Sequence, residues 1–508
     1  MGYSKKFDVY VADEKEQVHE NCGIFAMYVK EPRNLFLDLK YGGIGVQQRG
    51  QNAAGMVMMN DDFKDTIHKA DGLIKNVFNE EISLKFQDPN RWGILHCRYG
   101  TNGNYCLENN QPCCVTMSDG TLITIAHNGE FVGIKKYKNN PEMSDTRIFA
   151  NILARTKGLN WDEKIIKALK KIEGSYGLVV GIKDTLYMAR DKYGIRPLLV
   201  GSINDGWVIA SETQSFENIQ AKLLREIKPG EISKVNSSKG FEVIKEGNYK
   251  NKNECIFEFP YTRSPNSLYL TPNGEWSSIY EFRLKSGVYL AQQFKEKYKD
   301  IDFVIGIPDS GLAIAEGFHN ELNIPVKNII TKKPSQYFPN LPTRTFMNDK
   351  ERSGILNAVF QKLSFVPNPK IYEGKRIVCL DDSVVRSSTS KIIVQKLKEL
   401  GAKSVDWVSG LPMVTNVCYL GISIRSQEEL VAFLNKGDEK KIAKAIGARS
   451  LTFISSENII KAANNGEFIK PELQLEIFKC NGFCGGCLNH SKGNVYPVGR
   501  DGVPYKRK

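Results

Sequence analysis

One stretch, residues 376–389, constrains the fold of this 508-residue chain more than any other. It reads Arg-Ile-Val-Cys-Leu-Asp-Asp-Ser-Val-Val-Arg-Ser-Ser-Thr, and its early apolar run is typical of a buried parallel strand. Asp381 and Asp382 stand where that strand should end. A hydroxyl-rich turn follows, and the apolar spacing over residues 391–400 predicts an amphipathic helix that ends at Gly401. The sequence therefore predicts a strand–turn–helix unit of an open α/β sheet.

The turn of this unit has the chemistry of a ligand site. In an open α/β sheet, ligands bind in the crevice beyond the carboxyl ends of the strands. Hydroxyls and backbone N–H groups at a helix N-terminus suit a phosphate, and paired carboxylates suit ribose hydroxyls or Mg²⁺. An ordinary turn with two solvated acids is the alternative that these residues leave open.

The whole stretch resembles the signature of the type I phosphoribosyltransferases, which bind phosphoribosyl pyrophosphate (PRPP). This resemblance implies an α/β domain with a doubly wound parallel sheet. The family usually has Gly-Thr-Thr where this chain has Ser-Ser-Thr at 387–389, and glycine is favoured where the backbone adopts positive φ or approaches a phosphate. The residues that the resemblance assigns to PRPP are Asp381, Asp382, Ser383, Arg386, Ser387, Ser388 and Thr389.

The first half of the chain carries a second series of motifs, which begins at Cys22 after a polar stretch over residues 1–21. In their order along the chain these motifs resemble the glutamine amidotransferase domain of the N-terminal-nucleophile type, over residues 22–245. The resemblance implies an α+β fold, the four-layer α/β/β/α sandwich. The motifs occupy residues 46–55, 96–103, 126–130, 144–146, 174–176, 190–197 and 210–213.

Amide hydrolysis needs a nucleophile, a base, an oxyanion hole and a clamp on the amino-acid end of glutamine. By resemblance, Cys22 would be the nucleophile after removal of a leader over residues 1–21. Its freed α-amino group, with a reference pKa of about 8, would take the thiol proton. Asn128 and Gly129 would form the oxyanion hole.

The same resemblance assigns Arg49, Arg98 and Asp145 to glutamine binding, with Arg98 on the α-carboxylate and Asp145 on the α-ammonium group. Ordinary alternatives are a surface ion pair for Arg98, a helix cap for Asp145 and a simple turn at 128–129. The ordered series of motifs favours the functional interpretation. Gln48 departs from the family, which usually has His at this position, and this departure concerns a local hydrogen bond.

The second half predicts alternating strands and helices. Residues 303–307 predict a strand that runs into Pro-Asp-Ser-Gly at 308–311, and residues 402–408 predict a further strand. Residues 253–261 and 278–283 resemble the link between the two domains of the glutamine PRPP amidotransferase family. This resemblance implies a phosphoribosyltransferase domain over residues 246–470 and a C-terminal tail over 471–508.

The resemblance adds a metal site and a loop to the PRPP site. Ser310 would join Asp381 and Asp382 around Mg²⁺. Lys332 and Arg344 would belong to a loop that closes over PRPP and excludes water. The loop departs from the family, because residues 336–343 include extra residues with two prolines and the usual Pro-x-Gln segment is replaced after residue 346.

Four of the eleven cysteines stand where the iron–sulfur branch of that family carries its ligands: Cys255, Cys418, Cys484 and Cys487. Cys-x-x-Cys also serves zinc and redox sites, and four thiolates suit a zinc ion as well as a [4Fe–4S] cluster. The resemblance favours a structural cluster. Cys480 is a spare candidate, and the other cysteines outside the glutaminase site are predicted to be ordinary thiols.

Composition predicts a soluble globular protein, with 41% hydrophobic and 25% charged residues. No apolar run approaches a membrane span and the N-terminus has no signal-peptide core, so a cytoplasmic protein without membrane association is predicted. The net charge of +13 is spread along the chain without a nucleic-acid motif. It therefore indicates a lysine-rich surface rather than a nucleic-acid partner.

Together these resemblances predict an enzyme, a glutamine-dependent glycosyltransferase. It would transfer the amide nitrogen of glutamine to PRPP and give 5-phosphoribosylamine, glutamate and pyrophosphate, the first committed step of de novo purine nucleotide synthesis. Purine nucleotides are expected as feedback inhibitors, and a homo-oligomer is expected. The loop departures motivate an alternative, a paralogue with a working glutaminase half and a PRPP half altered for sensing or regulation.

Overall fold

The structure is a computed structural model, and it describes residues 22–98, 109–137, 143–333, 362–424, 426–467 and 482–488. The predicted leader, Arg344 of the predicted closing loop, and the spare Cys480 lie outside these ranges.

The first half of the chain forms two antiparallel sheets. The seven strands of sheet A are β1 (Gly23–Arg33), β2 (Ala53–Met59), β3 (Asp65–Asp71), β4 (Asn90–Arg98), β9 (Leu199–Ile203), β10 (Gly206–Ala210) and β11 (Lys222–Glu226). Their spatial order is β11-β9-β10-β1-β4-β2-β3. The six strands of sheet B are β5 (Cys113–Thr116), β6 (Leu122–Val132), β7 (Glu173–Ile182), β8 (Thr185–Arg190), β12 (Ile232–Asn236) and β13 (Gly240–Lys245), in the order β13-β12-β8-β7-β6-β5.

Successive side chains of a strand point to opposite faces of its sheet. Each sheet therefore packs against the other sheet on one face and against helices on the other. On β1, Ile24 and Ala26 are buried against sheet B, whereas Phe25 and Met27 pack against the helix that covers the outer face of sheet A. The outer face of sheet B packs in the same way against Phe149. The helices of this half are α1 (Phe36–Ile44), α2 (Ile74–Val77), α3 (Glu80–Ser83), α4 (Asp145–Arg155), α5 (Trp161–Leu169) and α6 (Gln214–Glu217). The predicted α/β/β/α sandwich is confirmed.

The second half is built on a parallel sheet of four strands in the order β17 (Phe303–Gly306), β20 (Arg376–Asp381), β21 (Ser404–Ser409) and β22 (Ser450–Phe453). Val304 and Val378 pack with the helices on one face, and Ile377 and Trp407 pack with those on the other. The strands are therefore buried on both sides, as a parallel sheet requires. The longer helices are α8 (Ile279–Gln293), α9 (Gly311–Leu322), α10 (Ser388–Glu399), α12 (Glu439–Ile446) and α13 (Ser456–Ala463), with the four-residue α7 (Glu258–Tyr261) and α11 (Val431–Leu434).

The winding of this sheet reverses at β17. Val304 pairs with Val378 of β20 on one side and forms an isolated parallel bridge to Val326 on the other. After β17 the chain first passes along one side of this strand, at Val326, and later forms β20 on the other side. This confirms the predicted doubly wound sheet and places its switch point at the carboxyl ends of β17 and β20, where such sheets bind ligands.

Three short pairings complete the fold. Strand β14 (Glu254–Cys255) runs parallel to β23 (Phe483–Cys484), which brings the end of the described chain to the domain junction. Strand β15 (Leu268–Leu270) pairs with β16 (Trp276–Ser278), and β18 (Ile330–Lys332) pairs with β19 (Leu363–Phe365). Within the described part of the chain, the search for a helix of membrane-crossing length and hydropathy finds none.

Candidate active sites

Cys22 lies directly before β1, in the centre of sheet A, and its side chain is fully buried. Its backbone N–H donates to Asn128 Oδ1 at 3.2 Å. Strand β6 supplies both Asn128 and Gly129, and the Asn128 Nδ2 group has no hydrogen-bond partner among the described residues. The structure therefore brings together the predicted nucleophile and a buried, unsatisfied donor.

Gly129 has a φ of +142° on this strand. A Cβ atom at this position would lie 2.0 Å from the backbone oxygen of Ser175 on β7, so no larger residue fits without movement of the strand. The sequence 128–129 is thus part of a strand rather than a simple turn, which excludes that alternative.

Two of the three residues predicted to bind glutamine, Arg98 and Asp145, lie on different elements. Arg98 ends β4, is 6% exposed, and donates from Nη1 to Asn110 Oδ1 at 2.8 Å. Asp145 is the first residue of α4, whose N-cap is Ser144. The Asp145 carboxylate accepts from the backbone N–H of Phe131 at 3.2 Å. Arg98 is therefore no surface ion pair, and the helix cap is Ser144 rather than Asp145.

Arg49 is fully buried, and protein groups occupy every nitrogen of its guanidinium group. Nε donates to the backbone oxygen of Cys22 at 3.1 Å, Nη1 to Glu212 at 2.7 Å and Nη2 to Glu258 at 2.7 Å. Glu258 belongs to the second half of the chain and also pairs with Arg196. Arg49 thus connects the Cys22 backbone to the domain junction.

Gln48 takes part in the same junction. Its Nε2 donates to Glu212 Oε2 at 2.9 Å, and the same carboxylate oxygen accepts from the Ser264 backbone N–H at 2.9 Å and from Ser267 Oγ at 2.8 Å. The amide of Gln48 therefore provides a hydrogen bond at the position where the sequence departs from its family.

A cavity of about 390 Å³ opens at the switch point of the parallel sheet. It is bordered by the 308–310 loop after β17, by residues 381–390 and, on the glutaminase side, by Gln48 and Gln51. Ser310 Oγ donates to Asp382, and Asp382 also accepts from Ser383 Oγ at 2.9 Å. The predicted residues Asp381, Asp382, Ser383, Arg386, Ser387, Ser388, Thr389 and Ser310 all line this cavity, together with Lys332.

Asp381 and Asp382 form a closely spaced acid pair. Packing around Asp381, and then the charge of Asp382, raise the pKa of Asp381 well above its usual value. The Asp382 backbone N–H donates back to Asp381 Oδ1 at 2.9 Å. A divalent cation would relieve this repulsion, since hard oxygen ligands of this kind suit Mg²⁺.

Ser387 has a φ of +65°, in the left-handed region, immediately before α10. This is the conformation that glycine adopts without strain. The backbone oxygen of Ser387 accepts from Lys391 N and Ser390 Oγ, both at 3.0 Å, so the first turn of the helix holds the residue in place. The strain expected from the Gly-to-Ser departure is therefore present in the fold.

Two cations of the cavity are each paired with an acid, and the sequence did not single out one of these acids, Glu429. Lys332 on β18 pairs with Asp309, and Arg386 pairs with Glu429, whose Oε2 lies 3.1 Å from Arg386 Nε. Glu429 is 43 positions along the chain from Arg386, so no local pattern could have indicated it.

The four predicted cluster cysteines are all buried and reach the domain junction from three segments. Cys255 and Cys484 are register partners of β14 and β23. Burial, and then the neighbouring Cys418, Cys255 and Cys484, raise the pKa of the Cys487 thiol well above its usual value. The sulfur of Cys418 accepts backbone N–H groups of Leu420 at 3.4 Å and Ile422 at 3.3 Å.

The four thiols are therefore neighbours in space. Among the described residues, no group of three or more His, Cys, Asp or Glu side chains is arranged to hold a metal ion. Of the remaining cysteines, Cys97, Cys113 and Cys379 are buried and Cys114 is partly buried, as predicted for ordinary thiols, while Cys106 lies outside the described residues.

Comparison with known proteins gives one domain match and several matches along most of the chain. Residues 105–218 match the glutamine amidotransferase domain family. The amidophosphoribosyltransferase of Methanocaldococcus jannaschii is 35% identical, over 87% of this chain and 94% of the relative. That of Rattus norvegicus is 31% identical over 96% of this chain and 99% of the relative.

This chain belongs to the amidophosphoribosyltransferase family.

Solved structures agree with this assignment. A structure described as the allosteric regulatory enzyme of purine biosynthesis superposes with a TM-score of 0.77 at 30% identity, over 95% of this chain and 98% of that one. The glutamine PRPP amidotransferase of Bacillus subtilis, solved with ADP and GMP, has a TM-score of 0.76 at 29% identity over 92% of this chain and 96% of that one.

Membership of the amidophosphoribosyltransferase family confirms the resemblance, the enzyme class and the reaction that the sequence predicted. None of these relatives and structures supports the alternative of a regulatory paralogue.

Proposed function

We propose that this chain transfers the amide nitrogen of glutamine to PRPP and releases glutamate and pyrophosphate, giving 5-phosphoribosylamine. The observation that carries this proposal is the gathering of two sets of motif residues into two sites of one fold. Cys22, Asn128 and Gly129 meet in the first half, and Ser310, Asp381 and Asp382 meet in the second. A regulatory paralogue would not need both sets to keep their geometry.

In the first site, removal of residues 1–21 would leave the α-amine of Cys22 next to Asn128 Oδ1, where its backbone N–H lies now. The amine takes the thiol proton, and the sulfur attacks the amide carbon of glutamine. The oxyanion that forms accepts hydrogen bonds from Asn128 Nδ2 and the Gly129 N–H. The protonated amine returns its proton to the departing nitrogen, which leaves as ammonia, and water then hydrolyses the thioester and releases glutamate.

Arg98 and Asp145 supply the opposite charges that the α-carboxylate and α-ammonium group of glutamine require. We assign Arg49 a different task from direct glutamine binding, because its three nitrogens already hold Cys22, Glu212 and Glu258. Its role is to fix the main chain of the nucleophile.

In the second site, the N-terminus of α10 with Ser387, Ser388 and Thr389 binds the 5′-phosphate of PRPP. Arg386 and Lys332 add positive charge, and Arg344 would contribute from the loop beyond the described residues. Ammonia attacks the ribose C1 carbon, and pyrophosphate leaves with its electron pair.

Ser310, Asp381 and Asp382 would hold Mg²⁺, and the oxygen donors and the raised pKa of Asp381 fit this ion. Bound Mg²⁺ would neutralise the charge on the departing pyrophosphate.

Cys255, Cys418, Cys484 and Cys487 fit a [4Fe–4S] cluster by their donor chemistry, burial and N–H···S contacts. Four thiolates suit a zinc ion as well as a cluster. The resemblance of these four positions to the iron–sulfur branch of the family supports the cluster.

The cluster proposal has a direct analytical test. Protein purified without oxygen should be brown and contain iron and sulfide, and Cys484→Ser or Cys487→Ser should lose the colour and much of the soluble protein. Cys113→Ser, at a buried thiol on β5 of sheet B, is the control. Stoichiometric zinc without iron would contradict the cluster.

Binding of purine nucleotides as feedback inhibitors and assembly into a homo-oligomer also form part of this proposal. The Bacillus subtilis relative was solved with ADP and GMP, which supports the former.

The decisive experiment measures glutamate and pyrophosphate released from glutamine, with and without PRPP and Mg²⁺, while intact mass gives the first residue of the active chain. We expect both products in equal amounts, dependence on PRPP and Mg²⁺, and a chain that starts at Cys22. Glutamate release without pyrophosphate would favour the regulatory paralogue, and full activity of a chain that retains residues 1–21 would contradict the proposed nucleophile.

A further inference from the structure

Three consecutive residues before β5 each contact a different element of the glutamine site. Asn109 Oδ1 accepts the Ser144 backbone N–H at 3.2 Å. Asn110 Oδ1 accepts from Arg98 Nη1 at 2.8 Å, and Gln111 Oε1 accepts the His127 backbone N–H at 2.6 Å. We call residues 109–111 the positioning segment.

The contacts of this segment reach residues next to, or within, the proposed catalytic set. Ser144 is the N-cap of α4 and directly precedes Asp145. His127 precedes Asn128 on β6, so the hydrogen bond from its N–H fixes this strand one residue before the oxyanion hole. One short segment thus sets the relative positions of α4, β6 and the Arg98 side chain at the end of β4.

Asn110 is 1% exposed, and its side-chain amide and its backbone oxygen have partners in the surrounding strands. Besides the contact with Arg98, its Nδ2 lies 3.5 Å from Asp71 Oδ1, and its backbone oxygen accepts from Lys69 Nζ at 3.0 Å. The amide is therefore fixed, with its oxygen toward the guanidinium group and its nitrogen toward a carboxylate.

We propose that the positioning segment sets the geometry of the glutamine clamp, and that Asn110 orients Arg98 without neutralising it. This inference rests on the proposed function, since it requires Arg98 to bind the substrate α-carboxylate. A neutral amide oxygen accepts a hydrogen bond from the guanidinium group and adds no negative charge of its own beside it. A carboxylate at the same place would form an ion pair with Arg98 and compete with the substrate.

The physical cost of losing this contact gives the expected size of the effect. A hydrogen bond to a charged group contributes about 1.5–3 kcal/mol, which corresponds to roughly a 10- to 100-fold change in an equilibrium constant. We expect Asn110→Ala to raise the KM for glutamine by about this factor, while kcat and the reaction driven by added ammonia stay within about twofold.

Asn110→Asp separates orientation from charge. The introduced carboxylate keeps an acceptor for Arg98, yet it repels the α-carboxylate of glutamine. The KM should rise for glutamine and change far less for glutamine α-amide, a substrate whose α-carboxyl group is neutral. The wild-type preference for glutamine over the α-amide should therefore fall by about tenfold or more.

The experiment measures kcat and KM for glutamine and for its α-amide in the wild-type chain, Asn110→Ala, Asn110→Asp and the control Asn90→Ala. Asn90 is a buried asparagine at the start of β4 and lies at the other end of this strand from Arg98. Ammonia-dependent phosphoribosylamine formation and the melting temperature report whether each variant is folded.

Two outcomes would overturn the inference. One is an unchanged KM for glutamine in both Asn110 variants. The other is an equal rise in the KM for glutamine and for its α-amide in Asn110→Asp, which would indicate general disruption of the site. These outcomes differ from the result expected if the proposed function is wrong, because the wild-type chain would then release no glutamate from glutamine.

Discussion

The two sites of this protein differ in how firmly their side chains are fixed by burial and by hydrogen bonds to neighbouring elements. In the glutamine site, Cys22 and Asn128 are fully buried, and Arg98 and Arg49 have partners on neighbouring elements. In the PRPP site, the acids and hydroxyls are partly exposed around an open cavity and bond mainly to one another.

The difference follows from the ligands that each site has to bind. Glutamine is small and offers few charges. Because the donors of its site are already fixed, little of the binding free energy is lost in ordering them. PRPP and Mg²⁺ bring many charges of their own. Burial and the charge of Asp382 raise the pKa of Asp381, so we expect this acid pair to be more favourable with a cation bound than without one.

The strongest test of this comparison removes the nucleophile. Cys22→Ala should lower glutamine-dependent turnover at least about a thousandfold, because no other group in the site can form the thioester. Turnover with added ammonia should stay near the wild-type value, since the second site does not use the thiol. Rates with the two nitrogen donors measure this split, and Cys113→Ala is the control. Equal loss of both activities would show that the two sites are not separable.

The second test acts on the acid pair. Asp382→Asn removes one of two charges that would hold Mg²⁺, and the loss of a charged contact worth about 1.5–3 kcal/mol should weaken PRPP binding roughly 10- to 100-fold. Calorimetry with PRPP and Mg²⁺ measures this affinity, and Asp381→Asn should behave similarly. Asp302→Asn, at the opposite end of the same sheet, should leave the affinity unchanged. Unchanged affinity in Asp382→Asn would place PRPP elsewhere.

The smallest expected effect concerns Ser387. Its left-handed conformation costs about 1–2 kcal/mol, of which the flexibility of glycine in the unfolded chain would offset about 0.5–1 kcal/mol. Ser387→Gly should therefore increase the free energy of unfolding slightly and leave PRPP affinity equal or better.

Thermal denaturation and calorimetry measure these two quantities. Ser388→Gly, which places glycine within the first turn of α10, is the control and should be neutral or destabilising. Weaker PRPP binding by Ser387→Gly would show that the Ser387 hydroxyl contributes more to the phosphate site than the strain costs.

The sequence predicted both folds, the parallel sheet partly from local pattern and the four-layer sandwich from the resemblance of its ordered motifs. The apolar run before Asp381 and the helical spacing after Thr389 appear as β20 and α10, with boundaries shifted by only a few residues. The ordered motifs from Cys22 onward gave the glutaminase sandwich and its buried nucleophile.

The sequence did not indicate the partners that hold these residues. Asn110 beside Arg98 is twelve positions away, Glu258 beside Arg49 is 209 positions away, and nothing in the local pattern distinguishes them from ordinary polar residues. Arg49 was assigned to glutamine on its motif alone, and its buried ion pairs appear only when the two halves of the chain are brought together.

The sequence by itself thus determined the order of elements through its short-range pattern. Its motifs, by their resemblance to known families, indicated the two chemistries and the residue types that carry them. The tertiary structure decided which charged groups are paired. A buried guanidinium group needs an acceptor, and only the fold determines which acceptor lies beside it. Ser387 shows both contributions, as the sequence marked its departure from glycine and only the fold showed its φ of +65°.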